Sequence, residues 1–516
     1  MENFVAGFMA LMNFNTILFM LIGTVAGLII GALPGLTGNM AIALMVPVTF
    51  SMEPTAAIAF LVAIYCSSIF GGSISAILLG IPGTISSFAT TLDGYPMAKK
   101  GQAGRALGIS TMASVFGGLF SAVVLTFLTT FLAEVALKFG PAEYFAVAVL
   151  GLCCISSIGG KSLSKGLLSG MIGLFVAMIG MDPQSGAKRF TFGNINLLDG
   201  IQLVPALMGL FGVCAVLKSA DKFRSMSQYD TEKMPDVKGV WIGWKECFKL
   251  LPTFIRGSVI GTIIGIIPGA GTNVATVLAY DTEKKFGKDG NTFGKGNPRG
   301  VAAPESANNA VTGGSMVPLL ALGVPGNSTS ALFLGALMLQ GLSTGPVLFT
   351  EHADIAYGIF ISFFLVNLLM WPLGMILLRW IKKVLAIPEA LLNGIVLALC
   401  ATGCYALSSN PFDVLIVIIF GLVGYLFHKF EIPAAPLIVC LVLGSMAESQ
   451  LRQALVISKG SYNFLWTRPV TAAVMIVALI SFFVPIVSNV IKMVRQKRGI
   501  VSAFDQADDE EIDDDD

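Results

Sequence analysis

The sequence breaks four long apolar segments at Pro-Gly dipeptides, and the breaks fall at matching places in the two halves of the chain. Residues 23–39 read GTVAGLIIGALPGLTGN and residues 257–273 read GSVIGTIIGIIPGAGTN. A second pair follows, with GGSISAILLGIPGTISS at 71–87 and GGSMVPLLALGVPGNSTS at 313–330. Hydrophobic segments interrupted at corresponding positions of two halves are typical of the substrate site of a secondary transporter.

Composition restricts the fold class. The 516 residues are 55% hydrophobic and 12% charged, with a mean hydropathy of +0.81. Soluble domains carry about 25% charged residues, so we predict an all-α polytopic protein of the lipid bilayer. The apolar runs are continuous rather than alternating, which excludes a transmembrane β-barrel. The net charge of +1 gives no indication of nucleic-acid binding.

The distribution of basic residues predicts inverted repeats, because Lys and Arg mark cytoplasmic loops. In the first half, the loop 49–55 has no base and the loop 93–105 has three. In the second half the order reverses, since the bases lie in 284–299 and none lies in 340–354. We therefore expect about eleven full crossings and two short hairpins, with the N-terminus periplasmic and the C-terminus cytoplasmic. No Lys or Arg precedes Lys99, so we expect no cleaved signal peptide.

This pattern predicts four regions. Residues 1–218 form the first membrane repeat and residues 251–498 the second. Residues 219–250 form a cytoplasmic connector ending in VWIGWKECFKLL, which suits an interfacial helix. Residues 499–516 form an acidic, disordered cytoplasmic tail.

The four breaks are the candidate binding elements. We name them tip A (residues 34–39), tip B (82–87), tip C (268–273) and tip D (325–330). Backbone groups freed inside a bilayer must be satisfied by protein, water or a ligand. Helix starts after each tip would direct N–H groups and a positive dipole end at a carboxylate. The alternative is that the Ser and Thr residues only cap broken helices.

The residues predicted to bind substrate share these tips and include no Lys or Arg. They are Pro34, Gly35, Thr37, Gly38, Asn39, Thr84, Ser86, Ser87, Gly269, Gly271, Thr272, Asn273, Asn327, Ser328, Thr329 and Ser330. Pro34, Gly35, Pro268 and Gly269 are expected to shape the site. The glycines spaced every fourth residue before tips A and C are expected only to let helices pack closely.

A cation is expected beside the anion, with Na⁺ at the Pro-Gly tips as one placement, because unwound carbonyls and amide oxygens suit it. The candidate coupling residues are Asn39, Asn273, Glu305 and Asn309. Glu305 lies in RGVAAPESANNA, at the entrance of an apolar span, where an ionisable residue is a functional hypothesis. The alternative is that Glu305 caps its helix in the first turn after Pro304. Asp93 is interpreted as a turn or cap residue and Glu448 as an interfacial one.

Several segments together resemble the large membrane subunit of the tripartite tricarboxylate transporters, over about residues 10 to 495. They are GALPGLTGNMAIALMVPVTF, GIPGTISSFATTLDGYPMAKKGQAGRALG, GIIPGAGTNVATVLAYDTEKKFGK, GVAAPESANNAVTGGSMVPLLALGVPGNSTSALFLGAL and EIPAAPLIVCLVLGSMAES. The resemblance implies a bacterial inner-membrane carrier for carboxylates such as citrate. It implies two partners, a small integral-membrane subunit and a periplasmic solute-binding protein. It also implies symport driven by a Na⁺ or H⁺ gradient, with no other cofactor.

By fold-level analogy we expect an elevator mechanism, in which one bundle holding the tips slides against a scaffold. No G-x-x-x-x-G-K-[ST] motif occurs, which fits a secondary carrier.

Three other functions are alternatives for this sequence. A carboxylate symporter that needs no binding protein would have the same tips, and a channel could line its pore with them. A membrane enzyme is disfavoured because His352 and His428 lie in predicted loops and no H-E-x-x-H occurs.

Overall fold

The structure, a computed structural model, is almost entirely helical over the residues it describes, which confirms the predicted all-α membrane fold. It describes residues 2–34, 36–153, 162–182, 185–222, 237, 239–268, 271–287, 289–385 and 387–497. The predicted acidic tail and residues 223–236 and 238 of the connector lie outside these residues, as do Gly35 and Gly269. Within the described residues, eight helices are long and apolar enough to cross a membrane.

The first half contains helices α1 to α10. They are Glu2–Leu11, Phe14–Ala32, Gly38–Met45, Pro54–Leu79, Phe88–Met97, Ala103–Ala136, Pro141–Cys153, Leu163–Ala177, Leu203–Leu207 and Cys214–Lys222. A short antiparallel hairpin joins β1 (Gly180–Met181) to β2 (Lys188–Arg189).

The second half contains helices α11 to α22. They are Trp244–Ile266, Thr272–Phe286, Pro298–Leu322, Ser328–Leu339, Pro346–Glu351, Ala353–Leu378, Ile381–Leu385, Glu389–Ser408, Pro411–Lys429, Ala435–Ile457, Phe464–Thr467 and Pro469–Lys497. The predicted connector boundary at residue 250 falls inside α11. The segment expected to lie along the membrane surface therefore forms the first turns of a longer helix.

The same order of elements occurs in both halves. Helices α2 and α3 flank tip A as α11 and α12 flank tip C, and α4 leads into tip B as α13 leads into tip D. Both α4 and α13 end at a left-handed glycine, Gly80 at φ 73° and Gly323 at φ 77°. Glycine adopts this conformation without the steric cost of a side chain. The inverted orientation of the two halves stays a prediction.

Two central helices, α4 and α13, form the core of the molecule. Almost every residue of both helices is buried, because α2 packs along α4 while α11 and α6 pack along α13. The contacts are close at the glycine stripes. A Cβ atom on Gly27 would lie 2.8 Å from the Ile64 carbonyl oxygen, and one on Gly261 would lie 2.7 Å from Ala307 Cα. The stripes therefore act in packing, as predicted.

The packing of α11 on α13 gives a test of this arrangement. Gly261→Ala forces the two helices apart, and we expect a loss of about 2 kcal/mol of stability from overpacking. Gly394→Ala, in α18, is the matched control because nothing lies within 4 Å of its Cβ position. That substitution should leave stability unchanged or raise it by up to about 1 kcal/mol. Melting temperatures of the purified variants compare the two; equal values would contradict the packing.

Ion pairs join segments that lie far apart in the sequence. Arg105 pairs with Glu246 at 2.6 Å, which joins α6 to α11. Arg468 pairs with Glu143 at 2.8 Å, which joins the residue before α22 to α7. Glu448, predicted to be interfacial, bonds Arg189 and Arg452, each at 2.6 Å. The sides of the membrane on which these segments lie stay predictions, as does the orientation of the termini.

Candidate binding site at the Pro-Gly tips

Side-chain caps begin the helices after three of the tips. At tip A, the Met40 N–H donates to Thr37 Oγ1 at 3.3 Å. At tip D, the Ser330 N–H donates to Asn327 Oδ1 at 2.8 Å, and the Asn327 N–H donates to Ser330 Oγ at 2.9 Å. At tip B, the Thr84 N–H donates to Ser87 Oγ at 3.3 Å. The capping interpretation therefore accounts for Thr37, Thr84, Ser87, Asn327 and Ser330. Substrate binding must use the polar groups at the tips that do not cap a helix.

Tips A and D meet directly. Helix α3 contacts α14, and Thr329 Oγ1 donates a hydrogen bond to Asn39 Oδ1 at 2.5 Å. Thr329 is buried and Asn39 is half-buried. The bond joins residues separated by most of the chain, so it brings the first break of one half against the second break of the other.

The remaining tips complete a ring of contacts. A Cβ atom on Gly83 in tip B would lie 2.6 Å from the carbonyl oxygen of Gly31, just before tip A. A Cβ atom on Gly326 in tip D would lie 2.8 Å from the carbonyl oxygen of Gly265, just before tip C. Helix α12, which follows tip C, contacts the 3-10 turn Ile85–Ser87 of tip B. All four tips therefore converge in one region of the protein.

This region concentrates helix N-termini. The first four N–H groups of a helix have no partner within it, and together with the macrodipole they attract anions. The side-chain caps of α3 and α14 use one N–H each, at Met40 and Ser330. The other N–H groups of those first turns, with the Asn39 and Thr329 side chains beside them, are suited to a carboxylate.

Two pairs of tips bring the halves together, A with D and C with B, and they differ in whether a side-chain hydrogen bond joins them. Asn273 in tip C occupies the sequence position of Asn39, and Ser86 in tip B that of Thr329. Asn273 is exposed, and among the described residues its side chain forms no hydrogen bond, whereas Ser86 is buried. The pair of tips A and D is thus joined by a bond that the pair of tips C and B lacks.

The other predicted residues line the same region. Pro34, Thr37, Gly271, Thr272 and Ser328 are half-buried, and Gly38, Thr84, Ser87, Asn327 and Ser330 are buried. The structure brings the predicted substrate-binding residues it describes around the four tips, while Glu305 and Asn309 lie behind them in α13.

A buried polar column runs from tip D along the interface of α4 and α13. Asn327 Nδ2 donates to the Tyr65 hydroxyl at 3.2 Å, and that hydroxyl lies 3.0 Å from Ser315 Oγ. Further along, Asn309 Nδ2 donates to the Cys66 carbonyl at 3.2 Å. The sequence interpretation missed Tyr65. The signal was a hydroxyl-bearing aromatic residue in the middle of an otherwise apolar span.

Glu305 ends this column and is fully buried. Its Oε1 accepts from Ser73 at 2.6 Å and from Thr90, and its Oε2 accepts from Ser110 at 2.9 Å and Ser114 at 3.1 Å. These hydroxyls come from α4, α5 and α6, so one carboxylate of the second half ties together three helices of the first.

The alternative that Glu305 caps its helix is wrong. Helix α13 begins at Pro298, and Pro304 lies inside it. Asn297 is the true cap, since its Oδ1 accepts from the Arg299 N–H at 2.8 Å. Glu305 is therefore two turns into the helix, where its carboxylate faces neighbouring helices.

Three buried Asn side chains provide further candidate atoms, Asn308 and Asn309 after Glu305 in α13 and Asn367 in α16. Within the described residues, Asn308 Oδ1 and Nδ2, Asn309 Oδ1 and Asn367 Oδ1 have no hydrogen-bond partner. Nearly all buried polar atoms in folded proteins are hydrogen-bonded. Unpaired amide oxygens in a transmembrane core are therefore candidates for binding water, an ion or a ligand.

Asp93 is a structural anchor. It is fully buried, and its carboxylate accepts from the N–H groups of Gly294, Gly296 and Asn297 and from the Tyr280 hydroxyl, at 2.7 to 3.1 Å. It fixes the loop that precedes α13. The interpretation of Asp93 as a turn or cap residue of its own segment is wrong, because Asp93 lies inside α5 and its carboxylate bonds a distant loop.

Removing this anchor should cost stability. Asp93→Ala removes the acceptor of three N–H groups, the buried one of Asn297 among them, and of the buried Tyr280 hydroxyl, so we expect a loss of about 3 kcal/mol. Asp281→Ala is the control, because that carboxylate forms a partly exposed i,i+4 pair with Lys285 and such pairs contribute little. The measurement is the melting temperature of each purified variant. An Asp93→Ala protein as stable as the control would show that the loop is held otherwise.

These features define the class of protein, a polytopic membrane protein whose interrupted helices bring four polar tips together between its halves. The chain belongs to the tripartite tricarboxylate transporter TctA family, whose profile matches residues 17–439. The resemblance found in the sequence is thereby confirmed, and the family is one of transporters.

Two relatives come from Agrobacterium vitis. An uncharacterized 52.8 kDa protein of the TAR-I ttuC′ 3′ region is 36% identical over 503 residues, covering 97% of this chain and 98% of the relative. An uncharacterized protein of the TAR-II ttuC′ 3′ region is 36% identical over 245 residues, covering 48% of this chain and 100% of the relative. No solved structure matches the chain.

Proposed function

We propose that this chain is the translocation subunit of a binding-protein-dependent secondary transporter that imports a tricarboxylate such as citrate. The observation that carries the proposal is the convergence of the four tips, with tips A and D joined by the Thr329–Asn39 hydrogen bond. Membership of the TctA family supports the transport role. The protein resides in the bacterial inner membrane, with a periplasmic N-terminus and a cytoplasmic C-terminus.

The substrate is bound by amides, hydroxyls and helix N-termini rather than by basic side chains. Tips A to D contain no Lys or Arg. Such a site leaves part of a polyanion's charge uncompensated, so a co-transported cation completes it. The coupling gradient is Na⁺ or H⁺, and no other cofactor is required.

During transport, each pair of tips alternates between a closed state, in which the two tips are joined, and an open state. The pair of tips A and D is joined by Thr329 and Asn39, while Asn273 of tip C is exposed. In an elevator cycle, the bundle holding the tips would move against the outer helices and open the pairs in turn. A solute-binding protein delivers the carboxylate from the periplasm, and a small integral-membrane subunit completes the complex.

The anion site is tested by ligand-induced stabilisation of the purified chain. A ligand that binds only the folded state raises the melting temperature by an amount that grows with its concentration relative to its Kd. Citrate or succinate should stabilise the wild type, acetate should not, and Asn39→Ala should remove the effect. Equal shifts with all three acids, or an unchanged shift in Asn39→Ala, would contradict a di- or tricarboxylate site at tip A.

A carboxylate symporter that acts without a binding protein is the second candidate function. The same tips serve both, and the length of the family match does not separate them. Uptake in the absence of any binding protein would favour it.

A further inference from the structure

The carboxylate of Glu305 is a buried charge with no basic partner. Within the part of the chain that the structure describes, no Lys, Arg or His forms an ion pair with it, and its hydrogen-bond partners there are all hydroxyls. Hydroxyl donors satisfy the hydrogen-bonding capacity of a carboxylate but leave its net charge in place. An isolated charge in a low-dielectric interior is costly, so a cation or proton is needed to neutralise it.

The atoms around Glu305 suit a metal cation. The hydroxyl oxygens of Ser73, Thr90, Ser110 and Ser114 each lie within hydrogen-bond distance of one of the two carboxylate oxygens, so six oxygen atoms are clustered here. These are six hard oxygen donors, the kind that an alkali cation prefers.

When a cation binds, the four hydroxyls around Glu305 can donate their hydrogens to backbone carbonyls of their own helices instead of to the carboxylate. A helical Ser or Thr can donate to the carbonyl four residues earlier. In these same helices, Thr111 Oγ1 donates to the Leu107 carbonyl at 2.7 Å, and Ser306 Oγ donates to the Ala302 carbonyl at 2.9 Å. The four hydroxyls around Glu305 can turn in the same way and present their oxygens to the ion.

A second observation points to a ligand here. Asn309 lies one helical turn after Glu305, and residues at this spacing are neighbours on the helix surface. Both face α4, since Glu305 accepts from Ser73 and Asn309 donates to the Cys66 carbonyl. Asn309 Oδ1 is buried without a donor, so an amide oxygen is available beside the carboxylate.

We propose that Glu305, Ser73, Thr90, Ser110 and Ser114 form a dehydrated Na⁺ site. This inference deepens the proposed function and rests on it only in making this Na⁺ the transported ion. The site differs from Na⁺ held at the Pro-Gly tips themselves, because it lies between α13 and helices α4, α5 and α6.

The site lies directly behind tip B. Gly72, adjacent to Ser73, accepts hydrogen bonds from Gly83 N–H at 3.1 Å and from Ser87 Oγ at 3.0 Å. Thr90 lies in the helix that tip B begins. When Ser73 and Thr90 bind an ion, they shift the helices on either side of tip B, α4 and α5. Ion occupancy is thereby linked to the shape of the substrate site.

The test is equilibrium binding of radiolabelled Na⁺ to the purified full chain in detergent, without carboxylate or partner subunits. We expect saturable binding at mildly alkaline pH, weakened by competition at acidic pH, and loss of binding in Glu305→Gln. The double variant Ser110→Ala/Ser114→Ala should weaken binding about tenfold or more, because two oxygen donors to the ion are lost. Ser121→Ala in the same helix is the control, since its hydroxyl donates to the Gly118 carbonyl.

Two results would overturn the proposal. The first is the absence of saturable Na⁺ binding to monodisperse wild-type protein, which needs no variant and identifies Glu305 as a proton site. The second is equal Na⁺ affinity in the double variant and in Ser121→Ala, both eluting as folded protein. Neither result bears on carboxylate transport, which a separate uptake assay under a proton gradient would still detect, so failure of this site and failure of the proposed function are distinguishable.

Discussion

Asn39→Ala is expected to reduce carboxylate uptake about ten- to a hundredfold while leaving membrane insertion intact. Its side chain accepts the bond from Thr329 that joins tips A and D. A hydrogen bond to a charged group contributes about 1.5–3 kcal/mol, which corresponds to this loss in binding of a carboxylate. Asn273→Ala should have a similar effect, because Asn273 occupies the matching position in tip C.

Initial uptake rates in proteoliposomes, normalised to inserted protein, measure the effect. Asn291→Ala is the matched control, since Asn291 is an exposed loop residue remote from the tips in sequence. Normal transport by both the Asn39 and the Asn273 variants would place the substrate site elsewhere in the protein.

Glu305→Gln is the second large effect, because it removes the buried charge while keeping the size of the side chain. We expect gradient-driven accumulation to fall about a hundredfold and to lose its dependence on cation concentration, in keeping with the loss of a buried charged partner. The readout is uptake across a series of Na⁺ concentrations and pH values. Glu53→Gln, at an exposed position, is the control. An unchanged cation response in Glu305→Gln would make Glu305 a structural residue.

The local features of this chain were predictable from sequence because they depend on short spacings. The glycine stripes before tips A and C repeat every fourth residue, and the structure shows them against α4 and α13. The Pro-Gly breaks ended helices where expected, with Gly80 and Gly323 in the left-handed conformation. These outcomes follow from backbone geometry, which each segment carries by itself.

The arrangement of the tips depends on contacts between distant segments and could not be predicted. The sequence does not indicate which tips contact each other, and the bond that closes tip A comes from Thr329 in the other half. The hydroxyls around Glu305 come from three helices, and a serine in an apolar span is by itself more often satisfied by its own helix. Only the packing of α6 on α13 shows that Ser110 and Ser114 face the carboxylate.

The position of Glu305 in its helix was hard to predict because two prolines could mark the start of that helix. Pro298 and Pro304 both fit the first turn of a helix, where proline is favoured. Asn297, immediately before Pro298, was the available signal, since Asn is a strong N-cap and here accepts from the Arg299 N–H. Proline inside α13 is tolerated because neighbouring helices can satisfy the freed backbone group.

Concentrative uptake of labelled citrate tests the central claim most directly. Proteoliposomes would contain this chain and its small membrane subunit, with the cognate solute-binding protein supplied or withheld, under an imposed Na⁺ gradient or proton gradient. The account predicts accumulation only when the binding protein and one of the gradients are both present. Equal accumulation without the binding protein, or equilibration that ignores both gradients, would contradict it.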